Sequence, residues 1–180
     1  VLGSEQPVLR EPQLVVFAGD HGLAAQGVSA YPSEVTWQMV ENFLAGGAAV
    51  NVLARQHGIG LTVVDCGVKH DFAPRAGLQI RKVAAGTADS LLGPAMDAAS
   101  CEVALRHGAE LIRSLPGNAL LLGEMGIGNT TIAAALYAAL YGGPVSHWVG
   151  RGTGVDDEGL KRKIAAVEKA LSTHASVLND

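Results

Sequence analysis

The sequence predicts an α/β fold built on a parallel sheet flanked by helices, and three observations predict it. Short apolar runs recur along the chain at Leu14–Ala18, Leu61–Asp65 and Ala119–Leu122, and such runs read as buried strands. Between them lie longer stretches with helical apolar spacing, and strands alternating with helices favour parallel pairing. The composition agrees: 48% of residues are hydrophobic but only 4% are aromatic, and there are 23 glycines. Small side chains of that kind allow strands and helices to pack closely.

Val1–Gln13 holds two prolines and three charged residues and reads as a lead-in or linker; 14–180 reads as one α/β domain. Leu14–Ala18 is the first strand, with Gly19-Asp20-His21-Gly22 at its C-terminal end. Ligands bind at that edge of open α/β sheets. Asp20 and His21 could serve as an acid/base pair, as metal ligands, as a turn in which Asp20 caps backbone N–H groups, or as a loop that shapes the substrate site. Asp65, His70 and His147 are the scattered further candidates for a metal. That set is too poor for a metal site of ordinary geometry.

After the Gly27–Ser33 loop, Ser33 is a suitable N-cap for a helix beginning at Glu34. Its stripe is Val35, Met39, Val40, Phe43 and Leu44. Gly46-Gly47 interrupts, and a second helix spans Ala48–Gln56, with Gly58 ending it. Leu61–Asp65 is the second strand, and Asp65 at its end suits a turn cap. Leu78–Val83 reads as a short edge strand. Pro94 suits the first turn of a helix over Ala95–Ser114, with Cys101, Ala104, Leu105, Ala109 and Ile112 facing inward. Beyond a helix over Ile132–Leu140, Val145–Val149 reads as a fourth core strand. Asp156 and Asp157 open a last helix to about His174, with Leu160, Ile164, Val167 and Leu171 as its stripe.

The chain's chemistry concentrates in Gly123-Glu124-Met125-Gly126-Ile127-Gly128-Asn129-Thr130-Thr131. A strand, a glycine turn and a helix N-terminus together form an anion site, because free N–H groups and the helix dipole converge there. The plainer alternative is a tight turn with Asn129 or Thr130 as an ordinary N-cap. No Lys-Ser or Lys-Thr follows the glycines, so this is no P-loop. The order G-x-x-G-x-G is not the dinucleotide fingerprint either. A second glycine loop, Gly150–Gly154, precedes Lys161-Arg162-Lys163. Three cations early in a helix oppose its dipole. They form either a solvated face or part of a phosphate site.

The net charge is -4 and no long basic run occurs, which argues against a nucleic-acid surface and leaves room for one small phosphate site. Cys66 and Cys101 stand far apart, so neither a disulfide scaffold nor a zinc site is expected, and a reducing cytoplasm fits. No signal peptide or membrane-spanning stretch is apparent.

The motif around Gly123–Thr131 resembles that of the nicotinate-nucleotide:dimethylbenzimidazole phosphoribosyltransferases. So do Gly19-Asp20-His21-Gly22, Gly27–Pro32, Val35-Thr36 and Val63–Val68. The resemblance runs from about Leu14 to Leu171. It implies a Rossmann-like domain with a smaller helical domain, homodimers, and no metal or other cofactor. The implied substrates are nicotinate mononucleotide and 5,6-dimethylbenzimidazole, and the products are α-ribazole 5′-phosphate and nicotinate, in cobalamin assembly. By position, Tyr31, Gln38 and Met125 would line the benzimidazole pocket. Glu124 would lie near the base and ribose as an auxiliary catalytic carboxylate. Gly126, Asn129, Thr130, Gly152 and Lys163 would hold the 5′-phosphate. Ala30 stands where some members carry a serine near the base. The family's general base, a glutamate in an R-L-G-E-G motif, does not occur in these 180 residues. The small domain is therefore expected to be largely missing here and turnover to be poor. The alternative from another class is a non-catalytic nucleotide- or base-binding module of the same fold.

Overall fold

A computed structural model describes residues 3–178. Its sheet has four strands, all parallel: β1 (Gln13–Gly19), β2 (Gly60–Gly67), β3 (Leu78–Ile80) and β4 (Leu120–Met125), in the order β3-β2-β1-β4. The α/β class and parallel pairing read from the sequence are both present. β1 is central because it pairs on both sides, Val16 lying opposite Val63 on one flank and Gly123 on the other.

The chain divides into two compact units. The first comprises the chain up to Gly19, Trp37–Ala85 and Ala98–Met125, and holds the sheet. Alternation along β1 splits its side chains between two faces. Val16 and Ala18 join Val63, Val40, Phe43 and Ala48 in one core, drawing on the helices α1 (Glu34–Leu44) and α2 (Ala49–Gln56). Val15 and Val64 face the other way, onto Leu111, Ile112 and Leu115 at the end of α3 (Ala98–Ser114). Burying each such side chain stabilises by about 1.5–3 kcal/mol.

Two expectations fail in this unit. The inner face of α3 centres on Leu111, while Leu105 is 71% exposed and Cys101 is exposed. Leu105 and Leu111 sit roughly 120° apart around a helix of 3.6 residues per turn, so only one of them can face the sheet. The leucines of β4 are also not buried. Leu120, Leu121 and Leu122 are all exposed, because β4 is an edge strand in this sheet.

The second unit comprises Asp20–Thr36, Gly86–Asp97 and the chain from Gly126 on. It is built around α4 (Asn129–Tyr141) and α5 (Asp157–Thr173). α4 buries Thr131, Ala134 and Ala138, at helical spacing, and its small side chains allow close approach. Leu23, Val28 and Ala166 form one core cluster, and Ala134, Val149 and Val167 another. The predicted strand Val145–Val149 does not form. Val145–His147 is a 3-10 turn, and Val149 N–H donates to Val145 O at 3.2 Å. Two valines four residues apart share a helical face, and both pack in the α4–α5 cluster. No helix among the described residues is long and apolar enough to cross a membrane.

Candidate functional site

The glycine turn ends on Gly128, which has φ +98 and caps α4 without a side chain. Ile127 N–H donates to the hydroxyl oxygen of Thr36 at 3.1 Å, and Thr36 is fully buried. Asn129 N–H donates to Gly126 O at 3.1 Å, and Thr131 N–H to Gly128 O at 2.9 Å. Four N–H groups of a helix start have no intrahelical acceptor. The turn therefore presents N–H dipoles at the positive end of a helix of 13 residues.

Lys163 supplies the charge. In the run Lys161-Arg162-Lys163, the structure sends each side chain elsewhere. Lys161 is exposed and pairs with Glu158 at 2.7 Å. Arg162 donates to Gly27 O at 3.3 Å. Lys163 is 2% exposed, and its Nζ donates to Thr130 Oγ1 at 3.0 Å and to Gly150 O at 2.9 Å. An ammonium has three donors, so two are met by protein. Among the described residues no carboxylate pairs with it. Burial pushes its pKa below the ordinary lysine value, since an unpaired buried charge is costly.

The fully buried line of α5 is Gly159, Lys163, Ala166, Val167 and Ala170. The expected stripe is thus corrected: Val167 belongs to it, while Leu160, Ile164 and Leu171 are only partly buried around it. Small residues on that line let α5 come close to α4. Asp156 fixes the start of α5 by accepting Gly159 N–H at 2.7 Å.

Gly152 approaches the same two side chains from the second glycine loop. Its φ is +57, and a Cβ there would lie 3.0 Å from Thr130 Oγ1 and 3.1 Å from Lys163 Nζ. The hydroxyl, the ammonium and the Gly152 backbone thus crowd one point. Gly126, Asn129, Thr130, Gly152 and Lys163 all belong to the second unit. Such a cluster of N–H groups, one hydroxyl and one buried cation can bind a phosphate or another compact anion.

Tyr31 belongs to the same unit and is 51% exposed on the loop before α1. Gln38, Glu124 and Met125 belong to the first unit. There Gln38 and Glu124 are exposed, and Met125 packs against the core cluster of Val16 and Ala18. Asp65 proves to be the turn cap its position suggests. It is fully buried, and its Oδ1 accepts Gly67 N–H at 3.0 Å and Val68 N–H at 2.8 Å. Among the described residues no three His, Cys, Asp or Glu side chains are grouped to hold a metal.

The residue reading gave two contributors other roles or none: His21 stood with Asp20 as a candidate acid/base pair or metal ligand, and Thr36 only within a resemblance motif. Thr36 anchors the turn through Ile127, and His21 contacts Asn129, its Nε2 lying 2.5 Å from Oδ1. Each contact spans about ninety or more residues of chain. The sequence marked both residues, His21 by its place after a strand's C-terminal end and both by their motifs, but not these contacts.

A family model described as "Phosphoribosyltransferase" matches residues 1–180. The chain is 62% identical, over 176 residues, to the nicotinate-nucleotide–dimethylbenzimidazole phosphoribosyltransferase of Variovorax paradoxus (strain S110), covering 98% of this chain and 50% of that protein. It is 58% identical to the protein of the same name from Dechloromonas aromatica (strain RCB), covering 92% and 48%. Among solved structures, the crystal structure of CobT from Thermus thermophilus superposes with a TM-score of 0.89 at 51% identity, covering 92% of this chain and 51% of that one. The chain spans about half the length of the curated relatives it matches.

Proposed function

The chain belongs to the phosphoribosyltransferase family, and from that premise we propose that it serves phosphoribosyl transfer from nicotinate mononucleotide to 5,6-dimethylbenzimidazole. The products are α-ribazole 5′-phosphate and nicotinate, in cobalamin biosynthesis. The observation that carries this reading is the buried Lys163 ammonium, held at the glycine turn by Thr130 and Gly150. The names of the relatives support the choice of substrates.

In this reading Gly126, Asn129, Thr130, Gly152 and Lys163 hold the 5′-phosphate. Tyr31, Gln38 and Met125 line the benzimidazole pocket, and Glu124 lies by the base and ribose. The benzimidazole nitrogen displaces nicotinate at the anomeric carbon with inversion from β to α. The bond to nicotinate breaks with its electron pair, and positive charge develops on the ribose, which a carboxylate stabilises. A base takes the benzimidazole N–H proton; the family's glutamate fills that role, with Glu124 as an auxiliary. The phosphate, remote from the reacting carbon, supplies binding energy that aligns the substrates. Residues 14–180 form the Rossmann-like part, with 1–13 as its lead-in, and the protein works as a cytoplasmic homodimer.

Calorimetric titration with nicotinate mononucleotide tests the reading, with inorganic phosphate as competitor and chromatography for α-ribazole phosphate. Expected are binding and displacement by phosphate. Absence of nucleotide binding, or binding that phosphate does not weaken, overturns it. Binding without product from both substrates selects the non-catalytic module instead.

A further inference from the structure

We propose that a cavity between the sheet and α3 is a binding site for a short aliphatic monocarboxylate, with Arg81 as its charge partner. The cavity measures about 80 Å³. Its lining belongs wholly to the first unit, and none of the residues assigned to the phosphate takes part in it.

The sheet side of the cavity follows from strand alternation. Phe17 comes two residues after Val15 on β1, and Cys66 two after Val64 on β2, so all four share the face that packs on α3. On the helix, Ala104, His107, Gly108 and Leu111 line the cavity, and their spacing of three and four puts them on one side. Gly108 is the informative one. It sits in the interior of a helix of 17 residues, where glycine is a poor residue. Its backbone is not left-handed, and a Cβ there would meet nothing within 4 Å. Neither conformation nor packing calls for glycine at that point. What its missing side chain leaves is room.

Arg81 supplies the charge. Its backbone is fixed from two sides. Its N–H donates to Asp65 O at 2.9 Å, and His107 Nδ1 donates to its carbonyl oxygen at 3.0 Å. A carbonyl can only accept, so that ring nitrogen carries the proton. The bond ties α3 to the chain just after β3. The Arg81 side chain lines the cavity and is half-buried. Its Nε is buried and has no hydrogen-bond partner among the described residues. No carboxylate among them pairs with its guanidinium. A buried donor without an acceptor is costly, and a carboxylate matches the guanidinium fork with two oxygens. Burial pushes the Cys66 thiol up to about 11, so the thiol is neutral at pH 7 and does not supply that counter-charge.

The walls and the volume define the rest of the ligand. Phe17, Val64, Ala104 and Leu111 are apolar, so the body behind the carboxylate is hydrocarbon. An engineered cavity of about 150 Å³ holds benzene. About half that volume suits roughly three or four carbons.

Butyrate is the probe, added to the full chain carrying Cys101→Ser so that Cys66 is the one thiol left. Butyrate should raise the thermal midpoint as its concentration rises, and should slow alkylation of Cys66 severalfold. Butyramide has the shape without the charge, and inorganic phosphate has charge without the hydrocarbon body. Neither should protect Cys66 at the same concentration. No protection by butyrate, or equal protection by either control, overturns the proposal, and this comparison needs no substitution at the site. Arg81→Met should weaken butyrate by at least about tenfold; unchanged affinity removes Arg81 as the charge partner and refutes the proposal. Gly108→Leu should fill the cavity and abolish binding, with a thermal midpoint at or above that of the parent. Butyrate binding that survives Gly108→Leu would place the ligand elsewhere and overturn the proposal too.

Discussion

The turn after β2 and the turn after β4 follow the C-terminal ends of parallel strands in the same sheet, yet they handle charge in opposite ways. The first carries its own anion. Asp65 is fully buried, accepts two backbone N–H groups, and has Lys82 Nζ 3.2 Å away. Lys82 is held in turn by His70 O at 2.6 Å. The second turn has the same ingredients, with N–H groups, a buried lysine and a glycine-rich backbone. Its one acidic neighbour in sequence, Glu124, lies on an exposed part of β4 in the other unit. A complete ion pair makes structure, whereas a buried cation with no carboxylate partner among the described residues is left able to meet an anion.

The largest effect expected from breaking this contrast is on stability. Asp65→Ala removes the built-in anion and leaves Lys82 and two N–H groups without it. Breaking a buried pair on one side costs about 3–5 kcal/mol, so the urea midpoint should fall steeply. An unchanged midpoint would show that the pair is decorative.

Lys163→Met should do the reverse. Removing a buried cation that has no counter-charge leaves stability within about 1 kcal/mol of wild type. Nucleotide affinity should fall by about a hundredfold, the charge-assisted contact from its one uncommitted donor being lost. A large stability loss with affinity intact would make Lys163 a structural residue like Lys82.

The same lysine sets a pH dependence. Its pKa is below the ordinary value in the empty protein, through burial. A bound phosphate favours the ammonium and raises that pKa, so binding takes up a proton between the two values. Affinity is therefore full below the lower pKa and is lost as pH rises from the lower value to the higher one. Titrations from pH 7 to 10 should show weakening on the alkaline side, by up to about tenfold per pH unit. Flat affinity across that range would remove Lys163 from the site.

The smallest effect reports the anion of the first turn. Burial, and then the charge of Asp65, push the Cys66 thiol up to about 11. At pH 8 it should alkylate roughly a hundredfold more slowly than a thiol of ordinary pKa. Asp65→Asn should speed it modestly, since burial outweighs the charge. An unaltered rate in that variant would mean Asp65 does not act on Cys66.

Much of this was legible in the sequence because it is local. The strand, glycine turn and helix at Leu120–Tyr141 are contiguous, and so are Asp65 with its N–H donors and Asp156 with Gly159. Parallel pairing followed from the alternation of strands and helices. The edge position of β4 was not legible, since Leu120–Leu122 look alike whether or not a neighbour covers them.

What the chain determined by itself was this set of local pieces and their order, because hydrogen bonds across two to four residues need no distant partner. Only the tertiary structure decided which of Lys161, Arg162 and Lys163 would be buried. Successive side chains on a helix point about 100° apart, and the small residues of the α4–α5 contact chose one direction. It also joined His21 to Asn129 and Thr36 to Ile127, across 108 and 91 residues. Contacts at that separation depend on how the whole chain packs, and no spacing in the sequence encodes them.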